Sequence, residues 1–257
     1  MGKYRKDSQM KPKKLNFISK LNHYLRRLNL GFQIELLPQH LIRRQKLIQH
    51  FEIDCVIDVG ANIGQFGAEM RKIGYSSNIF SFEPLKGAFR ELQEKAQNSP
   101  PWHVFNYGMG DKTGNFEINV SAASASSSLL PMLPRHLQAA PYTGFTGKET
   151  IKITTLDEIA PELNLGKYQN VLLKIDTQGF EKQVINGAVS LLKKIDSIML
   201  EMSLTKLYEG EMDYLEMSQK LSEMGFTMVS TEPGFEDQIT GQQLQIDAIW
   251  HRFRENK

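Results

Sequence analysis

Acidic side chains follow several apolar stretches of this sequence, at points where a buried strand would end. In "CVIDVGANIGQFG", Asp58 precedes a turn that contains Gly60 and Gly64, and in "IFSFEP" Glu83 ends the next apolar run. The carboxyl ends of parallel strands meet at one edge of a sheet, where ligands bind. The sequence therefore predicts a binding site built around Asp58 and Glu83, with solvated strand ends as the alternative.

The glycine turn differs from the loops that bind phosphate groups. A Walker loop has four residues between its glycines and a lysine after the second, whereas three residues separate Gly60 from Gly64, and Gln65 follows. In G-x-G-x-x-G the middle glycine lets the backbone approach a pyrophosphate, and Asn62 occupies that position here. The pattern therefore disfavours a diphosphate ligand and, with it, a nicotinamide oxidoreductase.

Both ends of a different ligand can be assigned from these residues. The N-terminus of the helix after Gly64 can take a carboxylate, and Asp58 offers negative charge to an ammonium group, so a zwitterionic amino acid satisfies both. Glu83 can accept hydrogen bonds from both hydroxyls of a ribose. A ligand with an amino-acid end, a nucleoside end and no phosphate describes S-adenosylmethionine, which is the cofactor we expect.

A second group of polar residues follows the later strands and predicts the catalytic side of the site. Asp176 ends the run "VLLKID", Lys174 projects to the same side two residues earlier, and Glu201 ends "SIMLE". Methyl transfer requires an aligned acceptor oxygen and a group that takes its proton. We hypothesise that Asp176 is the base or orienting carboxylate, with Lys174 and Glu201 around the acceptor; Lys174 as a simple ion-pair partner is the alternative.

Oxygen ligands at strand ends also suit Mg²⁺, which would acidify an acceptor hydroxyl. Asp176, Glu201 and Asp111 could gather such an ion, but nothing in their spacing requires one. The six histidines are scattered and show no zinc-binding spacing. A magnesium cofactor is compatible with the sequence but not favoured, and no metal ligand is assigned.

From residue 51 onward, strand-like and helical patterns alternate, which predicts an α/β fold with a mostly parallel sheet and helices on both faces. The last two strand-like runs are joined by a loop too short for a crossover helix, so the final strand should run antiparallel to its neighbour. The strand-like runs are Val56–Val59, Asn78–Glu83, His103–Tyr107, Val171–Asp176, Ser197–Glu201, Thr227–Ser230 and Gln245–Trp250. The helical patterns are Gln65–Ile73, Leu85–Gln97, Phe180–Lys193 and Asp213–Met224.

One segment interrupts this alternation. The runs "GNFEINV" and "ETIKITTL" alternate apolar and polar residues, which predicts an inserted β-hairpin. Residues 121–149 between them have no strong period, and loops of this length are uncommon unless they are lids, binding loops or disordered. We expect a substrate lid, with a floppy insertion as the alternative.

The N-terminal segment differs from the rest in charge. Residues 1–50 hold 12 Lys and Arg against 2 Asp and Glu, although the 257-residue chain has a net charge of +2. We expect a disordered basic tail over 1–14, an N-terminal helical extension over 15–50 with a short helix around Gln39–His50, and the catalytic domain over 51–257. A first helix, basic and amphipathic, is predicted where Leu15, Ile18, Leu21, Leu25 and Leu28 recur at helical spacing; it could dock on the domain or make a peripheral contact with an anionic membrane.

Several classes of protein are disfavoured by composition. No aromatic residues interleave with basic ones as in a nucleic-acid groove, and no apolar run approaches the roughly 18 residues of a membrane span. The single cysteine, Cys55, lies in an apolar strand pattern and cannot form an internal disulfide, which fits a reducing compartment. A cytoplasmic location is expected, and the oligomeric state is not indicated.

The motifs, in their order, resemble the FkbM family of S-adenosylmethionine-dependent methyltransferases. The segments that carry the resemblance span residues 51–250 and are "VIDVGANIGQF", "FEP", "YGMGDKTGNFEINV", "SSSLL", "TLDEI" and "LLKIDTQGFEKQVINGA". The resemblance implies a seven-stranded, Rossmann-like class I methyltransferase fold. It further implies that Gly60, Asn62 and Gly64 line the methionine end of the cofactor, that Glu83 contacts the ribose, and that Asp111 faces the adenine amino group.

The same resemblance implies O-methylation of a hydroxyl on a small-molecule or glycan acceptor, such as a sugar or a polyketide-type natural product. The sequence departs from the family's usual D-[VI]-E-G, because Thr177 and Gln178 follow Asp176. This removes a negative charge from the rim of the pocket and weakens any inference of a cationic acceptor. The alternatives to an O-methyltransferase are an N-methyltransferase and a non-catalytic regulatory or scaffold protein that binds S-adenosylmethionine.

Overall fold

Short apolar runs form the strands of two sheets in the computed structural model, which describes residues 37–253. In chain order the strands are β1 (Cys55–Val59), β2 (Asn78–Phe82), β3 (Trp102–Phe105), β4 (Gly108–Met109), β5 (Gly114–Ser121), β6 (Phe145–Thr154), β7 (Val171–Ile175), β8 (Ser197–Ser203), β9 (Thr227–Pro233) and β10 (Gln245–His251). The helices are α1 (Gln39–His50), α2 (Gln65–Lys72), α3 (Lys86–Gln97), α4 (Pro134–Ala139), α5 (Leu156–Leu163), α6 (Glu181–Asn186) and α7 (Tyr214–Glu223).

The main sheet has seven strands in the order β3-β2-β1-β7-β8-β10-β9. Strand β1 lies at its centre and runs parallel to both β2 and β7, which brings their carboxyl ends to one edge. Strand β10 runs antiparallel to β8 and β9, between which it is inserted. The predicted parallel sheet with a reversed final strand is confirmed.

Helices cover both faces of the main sheet. Helices α5, α6 and α7 contribute to the large apolar core that contains Ile57 and Leu173 from the central strands. The intervening residues of those strands face the opposite side, because successive side chains alternate across a sheet. There, Phe66 of α2 lies over the ammonium group of Lys174, 5.6 Å from the ring centre, and Arg44 of α1 hydrogen-bonds Glu232 of β9.

A second, three-stranded sheet in the order β4-β6-β5 forms the insertion. Strands β5 and β6 pair antiparallel, as the alternating sequence patterns predict, and β4 joins β6 in parallel. Strand β6 begins at Phe145, so the irregular segment is 122–144 rather than the expected 121–149. This segment contains a 3-10 turn, Ser124–Ser126, and helix α4, and Ala139 of α4 is buried in a small apolar cluster with Leu207 and Leu244.

Two of the differences between the predicted and the observed elements arise from contacts between distant segments. The third strand ends at Phe105 rather than Tyr107, because the chain leaves the main sheet to form β4, with the Asn106 amide hydrogen-bonded to the Glu83 carbonyl at 2.9 Å. The helix expected over Phe180–Lys193 is divided into α6 and a 3-10 turn, Leu191–Lys193. The division falls at Gly187, where an added Cβ would lie 1.8 Å from the Gly110 carbonyl oxygen.

The expected short helix around Gln39–His50 is present as α1. The predicted basic tail over 1–14 and the first part of the predicted extension, residues 15–36, lie outside the described residues. Among residues 37–253, the structure contains no helix that is both long and apolar enough to cross a bilayer.

Candidate active site

A cavity of about 240 Å³ opens at the edge of the sheet where β1, β2 and β7 end. Its walls come from the glycine turn, the strand ends, the small sheet and the insertion. Five of the predicted site residues line it: Gly60, Asn62, Glu83, Lys174 and Asp176. The structure therefore brings three of the predicted cofactor-binding residues and two of the predicted catalytic residues to one cavity.

The glycine turn holds its backbone tightly against the neighbouring strands. Gly60 has φ +74°, and a Cβ added to it would lie 1.8 Å from the Asp176 carbonyl oxygen, so no other residue fits this position. Asn62 also has a left-handed backbone, with φ +48°. Its side-chain oxygen accepts a hydrogen bond from the Ile63 N–H at 2.8 Å, which is the local bond that lets asparagine adopt this conformation.

Glu83 is anchored by the backbone on both sides of its carboxylate. One oxygen accepts the Asn62 N–H at 2.8 Å and the other accepts the Leu85 N–H at 2.8 Å. Burial raises the pKa of Glu83 to about 7, although both N–H bonds act in the opposite direction. Since a carboxylate oxygen can accept two hydrogen bonds, both oxygens keep capacity for the hydroxyls of a ribose.

An apolar slot continues from Glu83 toward the small sheet. Leu85, Ile118, Ile151 and Ile153 belong to one buried cluster and also line the cavity, together with Met109. A planar purine fits such walls, because its burial removes apolar surface from water. The slot therefore suits the nucleoside end of the predicted cofactor.

Helix α2 begins immediately after the glycine turn. Its N-cap is Gly64, with φ +83°, and no side-chain hydrogen bond caps the first turn. Uncapped N–H groups and the positive end of the helix dipole favour an anion. Gly64 positions this end but lies outside the cavity lining, and Leu92 and Trp102 pack where its Cβ would be.

Asp58 does not line the cavity, but it contacts Lys174, which does. Its carboxylate is fully buried, accepts the Ser81 hydroxyl at 2.9 Å, and forms an ion pair with Lys174 at 3.1 Å. In this geometry Asp58 faces the ammonium group of Lys174, and its expected contact with a ligand ammonium group stays a prediction. The carboxylate already has a cation, because Asp58 and Lys174 occupy the same register position on neighbouring strands.

The side chain of Lys174, on β7, connects this strand to the end of β1. Its ammonium group donates to the Gly60 carbonyl at 3.1 Å and lies 3.6 Å from Asp176. Burial alone lowers the pKa of Lys174, but Asp58 and Asp176 outweigh this effect, so the pKa is raised. The ion-pair role that the sequence left open is present in this geometry, although Lys174 also borders the cavity.

Asp176 is the most accessible of the catalytic candidates, with its side chain 34% exposed. Glu201 lies behind it and outside the cavity lining, where its carboxylate accepts hydrogen bonds from Gln178 at 2.8 Å and Gln245 at 2.9 Å. Burial raises the pKa of Glu201 well above its usual range, and the charges of Asp176 and Asp247 add to this effect.

Asp111 lies in an exposed turn outside the cavity. The preceding residue, Gly110, donates its N–H to Thr154 of β6, so the small sheet directs the chain away from the cavity. Asp111 is therefore not among the residues that line the cavity, whereas the resemblance implies that it faces the adenine amino group.

Several residues that were not predicted also line the cavity, and three of them lie near Asp176 or Lys174. Gln178 borders it beside Asp176, while Arg44 of α1 and Asp247 of β10 line the part near Lys174. Burial, followed by the charge of Asp176, raises the pKa of Asp247 to about 7. An acid within the apolar run "QIDAIW" was a sequence signal for Asp247, whereas nothing in "LIRRQKLI" distinguishes Arg44 from its neighbour.

Among residues 37–253, no group of three or more His, Cys, Asp or Glu is arranged to hold a metal ion. The Gln178 amide instead lies between Asp176 and Glu201, within hydrogen-bonding distance of both.

The strand order, the glycine turn after β1 and the buried acid after β2 define a class I, S-adenosylmethionine-dependent methyltransferase domain. The pattern of the methyltransferase FkbM domain matches residues 58–228, which is more than half of the chain. The chain belongs to the FkbM methyltransferase family.

A characterised methyltransferase is similar to part of this chain. The chain is 24% identical over 163 residues to the 2-O-methyltransferase NoeI of Sinorhizobium fredii, a match that covers 61% of this chain and 66% of NoeI. The matched region thus spans just under two thirds of that relative.

Solved methyltransferase structures resemble the chain at low similarity. The METTL16 methyltransferase domain has a TM-score of 0.48 and 13% identity, covering 96% of this chain and 84% of that one. Magnesium protoporphyrin IX methyltransferase from Synechocystis PCC 6803 has a TM-score of 0.44 and 11% identity, covering 96% and 100%. At these scores the assignment of the fold rests on the strand order.

Proposed function

We propose that the chain is an S-adenosylmethionine-dependent O-methyltransferase that acts on a hydroxyl group of a sugar or natural-product acceptor. The observation that carries the proposal is Glu83, a buried carboxylate held between the Asn62 N–H and an apolar slot at the end of β2. Membership of the FkbM family supports methyl transfer. The relative named a 2-O-methyltransferase supports oxygen as the acceptor atom.

The described residues fit this cofactor from end to end. Gly60, Asn62 and the first turn of α2 would hold the methionine part, and Glu83 would hold the ribose hydroxyls. The adenine would lie in the apolar slot beside Leu85 and Ile153. When bound, the cofactor supplies an activated methyl group, so the protein's task is to align the acceptor, exclude water and remove a proton.

Asp176 is the residue that we propose for the proton. Its carboxylate borders the cavity and is partly exposed, so an acceptor hydroxyl can reach it. The bound cofactor would supply the methyl group, and Asp176 would accept the proton that the acceptor hydroxyl loses. The ammonium group of Lys174 lies 3.6 Å from this carboxylate, and the Gln178 amide joins it to Glu201.

The charges near the methyl position favour a neutral acceptor over an anionic one. Lys174 is already paired with Asp58, whereas Asp176, Glu201 and Asp247 lie close together on adjoining strands. A carboxylate or phosphate on the acceptor would meet like charge there. Hydroxyl groups can instead donate hydrogen bonds to these carboxylates, as those of a sugar would.

The test is methyl transfer from S-adenosylmethionine with a labelled methyl group to a panel of neutral glycosides, hydroxylated polyketides and amines. We expect label on oxygen, and Asp176→Asn should lower turnover at least tenfold while the affinity for S-adenosylhomocysteine stays within about threefold. Asp111→Asn is the matched control and should change neither quantity. The same reaction in excess EDTA tests the magnesium alternative.

Label found on nitrogen alone would replace the proposal with an N-methyltransferase. Binding of S-adenosylhomocysteine without transfer to any member of the panel would favour the non-catalytic alternative. Unchanged turnover in Asp176→Asn would remove that residue from the mechanism.

A further inference from the structure

Gln178 connects the two carboxylates nearest to the catalytic end of the cavity. Its side-chain nitrogen donates to Asp176 at 2.9 Å and to Glu201 at 2.8 Å. Its side-chain oxygen accepts the Tyr208 hydroxyl at 2.8 Å. Both N–H groups and the carbonyl of one amide are therefore used, and Gln178 itself borders the cavity.

The direction of this amide is fixed by its partners. The buried Tyr208 hydroxyl lies 2.8 Å from the Gln178 side-chain oxygen and 3.3 Å from the Ser126 carbonyl, and it can serve as donor or acceptor. The carboxylates decide the direction, because they accept hydrogen bonds and the amide nitrogen donates them. A reversed amide would place its oxygen against Asp176 and Glu201.

The backbone of Gln178 is held just as firmly. It adopts a left-handed conformation with φ +53°, and its carbonyl accepts the Ser128 hydroxyl of the insertion at 2.6 Å. Glu181 accepts the N–H groups of Thr177 at 2.8 Å and Gly179 at 3.2 Å, which closes the turn around Gln178. A strained residue held by contacts on every side is typical of a functional position.

We propose, building on the function proposed above, that Gln178 is a positioning residue whose amide holds the carboxyl groups of Asp176 and Glu201 side by side at the point of methyl transfer. The two N–H groups of the amide point at the two carboxylates and supply the positive partial charge between them. Gln178 is not a catalytic residue, since it acts through Asp176. At position 178 the family usually has glutamate and this chain has glutamine. The side chain there therefore offers two N–H donors instead of a third negative charge.

The probe for this role is sinefungin, a cofactor analogue with a protonated amine at the position of the transferred methyl. If Asp176 and Glu201 lie beside that position, the wild-type protein prefers sinefungin to S-adenosylhomocysteine, and the preference weakens as the pH falls and Glu201, whose pKa burial raises, becomes protonated. Donated hydrogen bonds favour the charged form of a carboxylate. Their removal should therefore move the midpoint of this loss to higher pH.

The other ionisable groups around the two carboxylates stay in place in the variants: Lys174, Glu181, Tyr208, Glu211 and Asp247. A shift of the midpoint is therefore assigned to position 178. Gln178→Met keeps the length of the side chain and removes the donors, so the midpoint should rise by about one pH unit. Gln178→Glu adds like charge as well, and should raise it further.

The experiment is calorimetric titration of both analogues from pH 5 to 9 with the wild type, the two Gln178 variants and Gln219→Met, an exposed glutamine of α7 as the matched control. Gln219→Met should behave as the wild type. Gln178→Met should bind S-adenosylhomocysteine within about threefold of the wild type, and thermal melting checks that each variant is folded. If Gln178→Met does not fold, Gln178→Glu carries the test.

The outcomes separate this inference from the proposed function. Failure of the wild type to bind either analogue would overturn the proposed function. Two results would overturn the positioning role alone. The first is that the wild type binds both analogues without preferring sinefungin. The second is that the folded Gln178 variants lose the preference at the same midpoint pH as the wild type, within about 0.3 pH unit. A rise in the order wild type, Gln178→Met, Gln178→Glu is the expected result.

Discussion

Replacing Lys174 by methionine should destabilise the domain by about 3–5 kcal/mol, because it leaves a buried charge without its cation. Asp58 is 0% exposed, and after the substitution the Ser81 hydroxyl would be its remaining polar contact among those described above. The variant also loses the hydrogen bond from Lys174 to the Gly60 carbonyl at 3.1 Å. Both losses remove contacts that hold Asp58 and Gly60 at the start of the glycine turn.

The double variant Lys174→Met/Asp58→Asn separates the charge effect from loss of packing. Removing both charges leaves a neutral amide that can still accept the Ser81 hydroxyl, so the loss should fall to about 1–2 kcal/mol. The coupling between the two sites should then reach at least about 2 kcal/mol, which is within the range for residues in direct contact.

Urea unfolding followed by circular dichroism measures the free energies of unfolding of the wild type, Lys174→Met, Asp58→Asn and the double variant, with the denaturant slope as a check that each transition remains two-state. Because the pKa of Lys174 is raised in the folded state, its contribution should be complete below the ordinary value of 10.5 and be lost as pH rises through the higher folded value. A loss below about 1 kcal/mol in Lys174→Met, or additive single effects, would refute the reasoning.

Three further outcomes follow from local geometry. Gly60→Ala should abolish binding of S-adenosylhomocysteine, because its Cβ would overlap a carbonyl oxygen, whereas Gly74→Ala, with φ +91° and open space around its Cβ, should cost only about 1 kcal/mol of stability. The thiol of Cys55, whose pKa burial raises to about 12, should react with a disulfide reagent only after denaturation. Arg135→Gln removes the 2.8 Å ion pair with Asp237 and should speed limited proteolysis within residues 122–144, and an unchanged cleavage rate would contradict this anchoring.

The sequence could predict which residues end the strands, but not where each side chain points. Asp58 and Glu83 both lie at the expected edge of the sheet, yet Asp58 pairs with Lys174 inside while Glu83 borders the cavity. The difference comes from strand register, which places Asp58 opposite Lys174. Register depends on contacts between distant segments and cannot be obtained from the periodicity of either strand.

The parts that sequence reasoning missed are of the same kind. Gln178 bridges residues on two strands and a hydroxyl 30 positions away, so no local pattern reveals it. The helix after Phe180 is broken where Gly187 meets Gly110, which is again a contact between distant segments. Local alternation was sufficient for the sheet, the hairpin and the reversed strand, because those depend on patterns within single runs.

The central claim is that Glu83 holds the ribose of S-adenosylmethionine, and its most direct test is calorimetric titration with S-adenosylhomocysteine at pH 6 and pH 8. The wild type should bind, and more weakly at pH 6, because protonation of Glu83, whose pKa is raised to about 7, removes an acceptor for the ribose hydroxyls. Glu83→Gln should lose at least about tenfold in affinity and most of its pH dependence, while the exposed Glu91→Gln should match the wild type. No binding by the wild type at millimolar ligand, or unchanged affinity in Glu83→Gln, would contradict the claim.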